Sequence, residues 1–289
     1  ESDKYLYITT AHTVYQGHQE NIILVFNKET LERIYNASFY TRSSHSFNGF
    51  IDYDGEYIYL ADHGDYNPRA MLVQRFPKNT FSMTNNRKMN VFDITVPDHP
   101  VWGDNYTGAT IGGFAVSDST TLLAGTSIDQ TLKEVDENTQ SNIFLTVTDN
   151  TLTHAETEWL TSYPEGSGIQ VRTPQMVKLN NNQFLIMWEE YDTKKKNTTT
   201  SMVITDQNGV LLTQPEKTDL RLSDCQPFVA SDGTVMWYVT DNTKPIVYKV
   251  NPYSFEKEDT NSITYTYDKE SGTLHVSGKG NIPNYTDLN

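Results

Sequence analysis

The 289 residues contain a single cysteine, Cys225, so an internal disulfide is excluded. No apolar run reaches the roughly 18 residues that a membrane-spanning helix needs, so we expect no membrane insertion. The motifs G-x-S-x-G and H-E-x-x-H, the P-loop, a C-x-x-C pair and the dinucleotide-binding glycine fingerprint are all absent. No familiar catalytic motif therefore points to a function, and we expect no organic cofactor.

Positive charge is also scarce. The chain has 22 Lys and Arg against 37 Asp and Glu, a net charge of −15. Such a charge repels nucleic-acid phosphates and anionic lipid, so a nucleic acid is not expected as a partner. The densest basic run, Lys194 to Lys196, lies in a polar stretch and is typical of a solvated hairpin tip.

Aromatic residues make up 12% of the sequence, with 18 Tyr. The most informative stretch runs from Ser44 to Asp65. It contains an extended run with Phe47, Phe50 and Tyr53, then Asp54-Gly55, which suits a hairpin turn. The β-forming run Tyr57 to Leu60 follows and ends in charge. This stretch predicts a β-hairpin.

The same hairpin plan recurs along the chain. Three further copies span Ala109 to Asp129, Thr173 to Asp192 and Ser223 to Asn242, and Lys4 to Ile8 matches the second strand alone. The second strands recur at intervals of about 50 to 65 residues, a length that accommodates four strands. Further strands are predicted between the copies, at 21–26 and 33–38, 70–76 and 88–94, 142–148 and 156–160, 200–205 and 210–213, and at 244–250.

This recurrence predicts an all-β fold, a five-bladed β-propeller with a short C-terminal β segment. A first blade without its innermost strand is expected at 4–40, followed by blades at 41–95, 109–161, 173–219 and 223–250. The alternative is a β-sandwich whose hairpins merely look alike. Repeats in register along most of the chain favour the propeller, because each blade buries its faces only against its neighbours.

Residues 251–261 read as a polar linker, so the domains are predicted as 1–257 for the propeller and 258–289 for a β-hairpin tail. In the tail, Tyr267-Asp268, Ser271 to Leu274 and Gly278 to Tyr285 resemble the segment that opens the leucine-rich-repeat region of BspA-like surface proteins. That resemblance implies the start of a following module. The alternative is that the tail supplies the missing strand of the first blade and closes the ring.

The repeated motifs SHSF…DHGD, GGF…S and TPQ…W-E resemble an uncharacterised propeller ectodomain of Gram-positive cell-surface proteins. The resemblance implies an extracellular, cell-surface or cell-wall-associated protein and no particular activity. The chain opens inside a strand pattern, so we expect it to be a segment of something longer. We expect it to be a monomer.

Propeller geometry predicts where a site would lie. The innermost strand of each blade starts on one face, and the second strand returns to that face. Polar and aromatic residues are concentrated at these positions. The predicted ligand-binding residues are His45, Asp62, His63, Trp102, Arg172, Trp188, Glu189 and Asp224.

Carboxylates combined with aromatic faces suit sugar recognition, and carboxylates could equally hold a Ca²⁺ ion. The sequence therefore predicts a non-catalytic domain that binds a glycan or a surface protein. The alternative is a glycoside hydrolase, which needs two carboxyls about 5 to 9.5 Å apart. The competing interpretation of each charged residue is a solvated strand end. Glu189 and Glu190 are adjacent on a strand, so only one of them can line the predicted mouth.

Overall fold

The computed structural model describes residues 4–13, 19–37, 39–44, 49–63, 69–78, 86–95, 105–129, 131, 139–241, 244–256 and 264–277. Within these residues every regular element is a β-strand, apart from one 3-10 turn at Tyr35–Ala37. The chain divides into two compact units, 1–219 and 220–289. No helix among the described residues is long and apolar enough to cross a membrane.

The first unit contains four antiparallel sheets, taken in chain order. Sheet 1 consists of β1 (Tyr5–Thr13), β2 (Gln19–Asn27) and β3 (Phe39–Ser44). Sheet 2 consists of β4 (Phe50–Tyr53), β5 (Tyr57–Asp62), β6 (Ala70–Pro77) and β7 (Arg87–Asp93). Sheet 3 consists of β8 (Thr110–Val116), β9 (Thr120–Ser127), β10 (Asn142–Asp149) and β11 (Ala155–Trp159).

Sheet 4 consists of β12 (Ile169–Val171), β13 (Gln175–Asn180), β14 (Gln183–Asp192), β15 (Asn197–Asp206) and β16 (Glu216–Thr218). Strands β12 and β13 both pair with β14. The second unit contains sheet 5, made of β17 (Phe228–Val229), β18 (Val235–Asp241) and β19 (Lys244–Val250), and a hairpin of β20 (Thr264–Asp268) and β21 (Thr273–Ser277).

The predicted all-β fold of propeller-like blades with a short C-terminal β segment is confirmed. The described residues form five successive antiparallel sheets and a separate two-stranded hairpin. Sheet 5 groups with the hairpin rather than with sheets 1 to 4. The boundary predicted between 257 and 258 falls in 257–263, outside the described residues.

Two outer strands differ from the prediction. Around 33–38 the chain forms the 3-10 turn, and strand β3 comes later, because Leu31 adopts a left-handed φ of 57° and turns the backbone. At 210–213, Asp206 Oδ1 accepts the N–H groups of Asn208 and Val210, which holds a turn. The outer strand of sheet 4 is therefore β16.

Sheet 1 lacks an innermost strand in the described residues, as predicted for the first blade. Strand β1 is therefore the second strand of sheet 1, equivalent to β5 in sheet 2. The Tyr7 hydroxyl on β1 donates to the carbonyl of Lys78 at 3.1 Å, and the Tyr59 hydroxyl on β5 donates to that of Asn150 at 3.3 Å. In both cases a second strand is bonded to the turn after the third strand of the next sheet.

The inner strands β4, β8 and β13 run in the same direction. At their ends, Asp52 Oδ2 accepts the N–H of Val116 at 2.7 Å, and Lys178 Nζ donates to the Val116 carbonyl at 2.7 Å. At their starts, the hydroxyls of Thr110 and Thr173 lie 3.0 Å apart. The first unit therefore has one face where inner strands start and second strands end, and we call it the strand-start face. The opposite face is the strand-end face.

Apolar side chains fill the space between neighbouring sheets. Between sheets 2 and 3, Phe92 and Phe144 stack with ring centroids 3.9 Å apart, and Trp159 meets both edge-on. Between sheets 3 and 4, Phe184 and Trp188 pack among aliphatic residues of β8, β9 and β10. Burial of such side chains is the main stabilising contribution to blade-on-blade packing.

Candidate functional site

The structure places the predicted residues in different surroundings. Asp62 and His63 lie at the end of β5, and Arg172 lies between β12 and β13. Asp224 is exposed and belongs to the second unit, which is described by itself. His45 and Trp102 lie outside the described residues. The remaining two, Trp188 and Glu189, are on β14.

Asp62 is 1% exposed, although it ends a strand beside a loop. Its Oδ2 accepts a hydrogen bond from Nδ2 of Asn21 on β2 at 3.2 Å. A buried carboxyl group is costly unless polar groups satisfy it, and this bond between sheets 1 and 2 satisfies one of its oxygens. Asp62 is therefore held in place rather than left as a solvated strand end.

His63 follows Asp62 and is partly buried. Burial, together with the charge of Arg69, lowers the pKa of His63 below its ordinary value. The imidazole is therefore neutral at neutral pH. A neutral imidazole can both donate and accept a hydrogen bond, which suits contact with an uncharged polar ligand.

Arg172 contacts one of the predicted carboxylates. Its guanidinium donates to Glu189 Oε2 at 2.9 Å. The Glu189 side chain is 3% exposed and that of Arg172 is 59% exposed. The structure thus brings Arg172 and Glu189 together, with the carboxylate inside and the cation at the surface.

Glu190 is buried on the opposite face of β14, as the alternation of strand side chains predicts. Its Oε1 accepts hydrogen bonds from Trp188 Nε1 at 3.0 Å and Ser201 Oγ at 2.7 Å, and its Oε2 accepts one from Lys217 Nζ. Burial by itself raises the pKa of Glu190, but the bonds from Lys217, Tyr163 and Ser201 outweigh it and hold the pKa below its ordinary value. Glu190 therefore stays ionised and fixed.

The placement of Trp188 corrects the prediction that its ring faces a ligand. Trp188 is 1% exposed and belongs to the packing between sheets 3 and 4. Its one polar atom bonds Glu190 two residues along the same strand face. The ring faces are covered by protein, so they are not available to stack on a sugar.

The sequence interpretation missed Ser201 and Lys217. The turn between β14 and β15 could have revealed Ser201, because pairing Asp192 with Asn197 places Ser201 opposite Trp188. Nothing comparable marks Lys217, which reaches Glu190 from the three-residue outer strand β16.

A groove of about 700 Å³ opens between sheets 3 and 4 on the side of the strand-start face. One wall is the segment before β10, and the other is the loop that leads into β12 together with β12 itself. The lining side chains are mainly amides and hydroxyls, including Gln140, Ser141, Gln170 and Thr193, with Glu165 as the one carboxylate. The volume falls within the ordinary range of small-molecule sites.

The described residues contain no group of three or more His, Cys, Asp or Glu side chains placed to hold a metal ion. A Ca²⁺ site made largely of carboxylates is therefore not present among them. The predicted Ca²⁺ ion stays a prediction for the remainder of the chain.

No protein-family model matches the chain, and no curated protein matches it. Among solved structures, it is similar to the Penicillium chrysogenum α-L-arabinanase complexed with arabinobiose, with 10% identity and a TM-score of 0.47 over 87% of this chain and 80% of that one. It is also similar to the endo-arabinase of Bacteroides thetaiotaomicron, with 9% identity and a TM-score of 0.40 over 97% and 96% of the two chains.

A third solved structure, prolyl oligopeptidase B from Galerina marginata bound to a peptide substrate, has 12% identity and a TM-score of 0.43. The match covers 94% of this chain and 36% of the oligopeptidase. Similarities of this size say nothing about activity or substrate.

Proposed function

We propose that the chain is a non-catalytic ligand-recognition domain that binds a glycan or a protein at its strand-start face. The observation that supports this proposal most directly is the charge balance of the buried carboxylates on β14. Glu189 is paired with Arg172, and Glu190 with Lys217. Paired carboxylates of this kind are fixed anions that shape and orient a surface.

A hydrolytic reaction would require a different arrangement of carboxyl groups. A glycoside hydrolase needs one carboxyl with a raised pKa as its acid and a second carboxyl across the bond to be cleaved. The pKa of Glu190 is lowered. Burial raises the pKa of Asp52, but Asp52 lies at the strand-end face and accepts the N–H of Val116. The charge arrangement therefore favours binding over hydrolysis.

Calorimetry and glycan arrays on the wild-type chain test the proposal. His45→Ala and Arg172→Ala should weaken binding at the strand-start face without unfolding the protein. Asp224→Ala is a separate test of binding at the second unit. Release of reducing sugar from any polysaccharide, arabinan included, would overturn the non-catalytic assignment. Asp62 and Glu189 would then be the first carboxylates to mutate.

The proposal includes display on a bacterial cell surface and a monomeric state. The resemblance to Gram-positive surface proteins and the acidic composition support the surface location. Fractionation of cells that express the native full-length protein tests the first, and sedimentation of the purified chain tests the second. A wholly cytosolic native protein would contradict the surface assignment.

A further inference from the structure

The groove between sheets 3 and 4 has walls that are fixed before any ligand arrives. Gln140 Nε2 donates to the Ile169 carbonyl at 2.9 Å, and Gln140 Oε1 accepts the Ser167 hydroxyl at 3.2 Å. One glutamine of sheet 3 therefore holds the loop of sheet 4 at two points. A prefixed wall lowers the ordering cost of binding.

The same loop is held from its other side. The carbonyl of Gly168 accepts the Thr193 N–H at 2.8 Å and the Thr193 hydroxyl at 2.9 Å, and Lys194 Nζ donates to the Gly166 carbonyl at 3.0 Å. Gly168 has a φ of 80°, and a Cβ there would lie 2.9 Å from the Thr193 hydroxyl. Only glycine fits this close approach without strain. The loop therefore has one shape, set by bonds on both sides.

The chemistry of the lining selects the ligand class. None of the described residues that line the groove carries a positive charge, and Glu165 is the one anion among them. The ammonium of Lys194 already bonds the carbonyl of the lining residue Gly166. A phosphate, sulfate or uronate would therefore meet no cation among the described lining residues, and Glu165 and the net charge of −15 would disfavour it. Amides and hydroxyls, by contrast, can both donate to and accept from sugar hydroxyls, and Ile169 and Val171 add apolar contact.

From this placement we infer that the groove binds a neutral oligosaccharide, with Gln170 as a direct hydrogen-bonding residue. This inference rests on the proposed function and gives it a location and a ligand class. The side chain of Gln170 is exposed and lines the groove. No aromatic ring is among the lining residues, so the affinity should be weak, with a Kd on the order of 1 mM.

An extended peptide is the competing ligand, because β12 lies at the edge of sheet 4 and could pair with an added strand. That mode needs free backbone groups along β12. The strand has three residues, and its Ile169 carbonyl already accepts Gln140. The edge is therefore too short and too occupied to favour a peptide.

The test is an amide-shift titration of the whole chain with a panel of neutral hexasaccharides built from glucose, xylose, mannose or arabinose. Trigalacturonate and an extended hexapeptide serve as the charged and peptidic comparators. At about 10 mM sugar, well above the expected Kd, the amides of Gly166, Gly168 and Gln170 should shift with at least one neutral sugar. Gln170→Ala should weaken that binding about fivefold, the loss of one hydrogen bond.

One further variant serves as the control. Gln214→Ala removes an exposed glutamine between β15 and β16 and should leave affinity unchanged.

The inference is overturned if no neutral sugar shifts these amides, if only trigalacturonate or the peptide does so, or if Gln170→Ala binds as the wild type does. A shift map centred on Asp62 and Arg172 also overturns it, while leaving the proposed function intact. Cleavage of a bound sugar would overturn the non-catalytic assignment. The amide shifts recorded before cleavage would still show whether the sugar binds in the groove.

Discussion

The two faces of the first unit are held in different ways. At the strand-end face, neighbouring sheets are bonded directly, because Asp52 of sheet 2 and Lys178 of sheet 4 both bond the backbone of Val116 in sheet 3. At the strand-start face, the buried charge of Glu189 is paired with Arg172 of its own sheet. The strand-end face joins three sheets at one backbone residue, whereas the strand-start face combines this pair within a sheet with side-chain bonds between sheets, such as Asn21–Asp62 and Thr110–Thr173.

This difference separates stability from recognition. Bonds between sheets at the strand-end face maintain the packing of sheets 2 to 4 whatever the other face carries. The loops and charged side chains of the strand-start face that make no bond between sheets can then vary without separating the sheets. Functional sites supported by a rigid scaffold commonly show this division.

The largest effect is expected where sheets 3 and 4 approach most closely on the strand-start side. A Cβ at Gly112 would lie 1.9 Å from the carbonyl oxygen of Pro174 and 2.4 Å from Thr173 Cγ2. Gly112→Ala should lower the free energy of unfolding by about 3 kcal/mol, measured by urea denaturation, because backbone must move to admit the methyl group.

Gly108→Ala is the matched control for that change. Gly108 has a φ of 61° with no atom within 4 Å of an added Cβ, so only backbone strain opposes the substitution, at about 1 kcal/mol. Equal losses in the two variants would show that the sheets are not tightly packed at Gly112.

The next effect tests the bonds between sheets at the strand-end face. Asp52→Ala leaves the Val116 N–H without its acceptor and should cost about 2 kcal/mol in unfolding free energy. Asp52→Asn keeps an acceptor oxygen and should cost much less. If Asn and Ala variants are equally destabilised in urea, the bond to Val116 is not what holds this face.

The contribution of Asp52 to the free energy of unfolding should depend on pH in a definite direction. Burial raises the pKa of Asp52 above its ordinary value of 3.8, despite the N–H groups of Val116 and Tyr53 and the charge of Lys178. Its contribution to stability is therefore greatest below about pH 4 and falls as the pH rises through the raised pKa. As the pH rises through the raised pKa, the free energy of unfolding of the wild type should fall relative to that of Asp52→Asn. A wild type that instead gains stability relative to Asp52→Asn would contradict the raised pKa.

The contribution of Glu190 to the free energy of unfolding should show the opposite pH dependence and should be smaller than that of Asp52. Its folded pKa is lowered below the ordinary 4.5, so its contribution is present above that pH and is lost as the pH falls through the folded pKa. Lys217→Met should reduce this dependence and cost about 1 to 2 kcal/mol at neutral pH. The cost is below that of a fully buried pair, because the Lys217 side chain is 58% exposed.

The test of Glu190 is urea denaturation at several pH values with Lys249→Met as control. Lys249 pairs with Asp232, whose side chain is 53% exposed, so this variant should change stability by less than about 1 kcal/mol. An unchanged pH profile in Lys217→Met would show that the remaining donors, the Trp188 indole and the hydroxyl groups, keep Glu190 ionised.

The smallest effect on stability is expected for Arg172→Ala. The Arg172 side chain is 59% exposed but that of Glu189 is only 3% exposed, so removal of the guanidinium should cost about 1 kcal/mol, the lower end of the range expected for Lys217→Met. Binding at the strand-start face should nevertheless weaken, because Glu189 loses the cation that orients it. Thermal unfolding measures the loss of stability and calorimetric titration measures the loss of binding. A large drop in unfolding temperature would show that Arg172 mainly stabilises the fold.

Much of the strand order could be predicted from sequence, because β-forming runs such as Tyr57 to Leu60 follow Asp-Gly or Asn-rich turns at regular intervals. The opposite orientations of Glu189 and Glu190 also followed from alternation along a strand. Trp188 was misjudged because position near a strand end does not reveal burial. The groove depends on Gln140 and Ile169 meeting across two sheets, and no local pattern encodes that contact.

The two bonds to the backbone of Val116 also limit where residues can be inserted into or deleted from the chain. A carboxylate from one side and an ammonium from the other bond the N–H and the carbonyl of this single residue. Inserting or deleting one residue in β8 would carry Val116 out of reach of both neighbours at once. The inner strands are therefore fixed in length, while insertions in the connections of the strand-start face displace neither bond. Diversification among relatives should accordingly take place by growth and shrinkage of those connections.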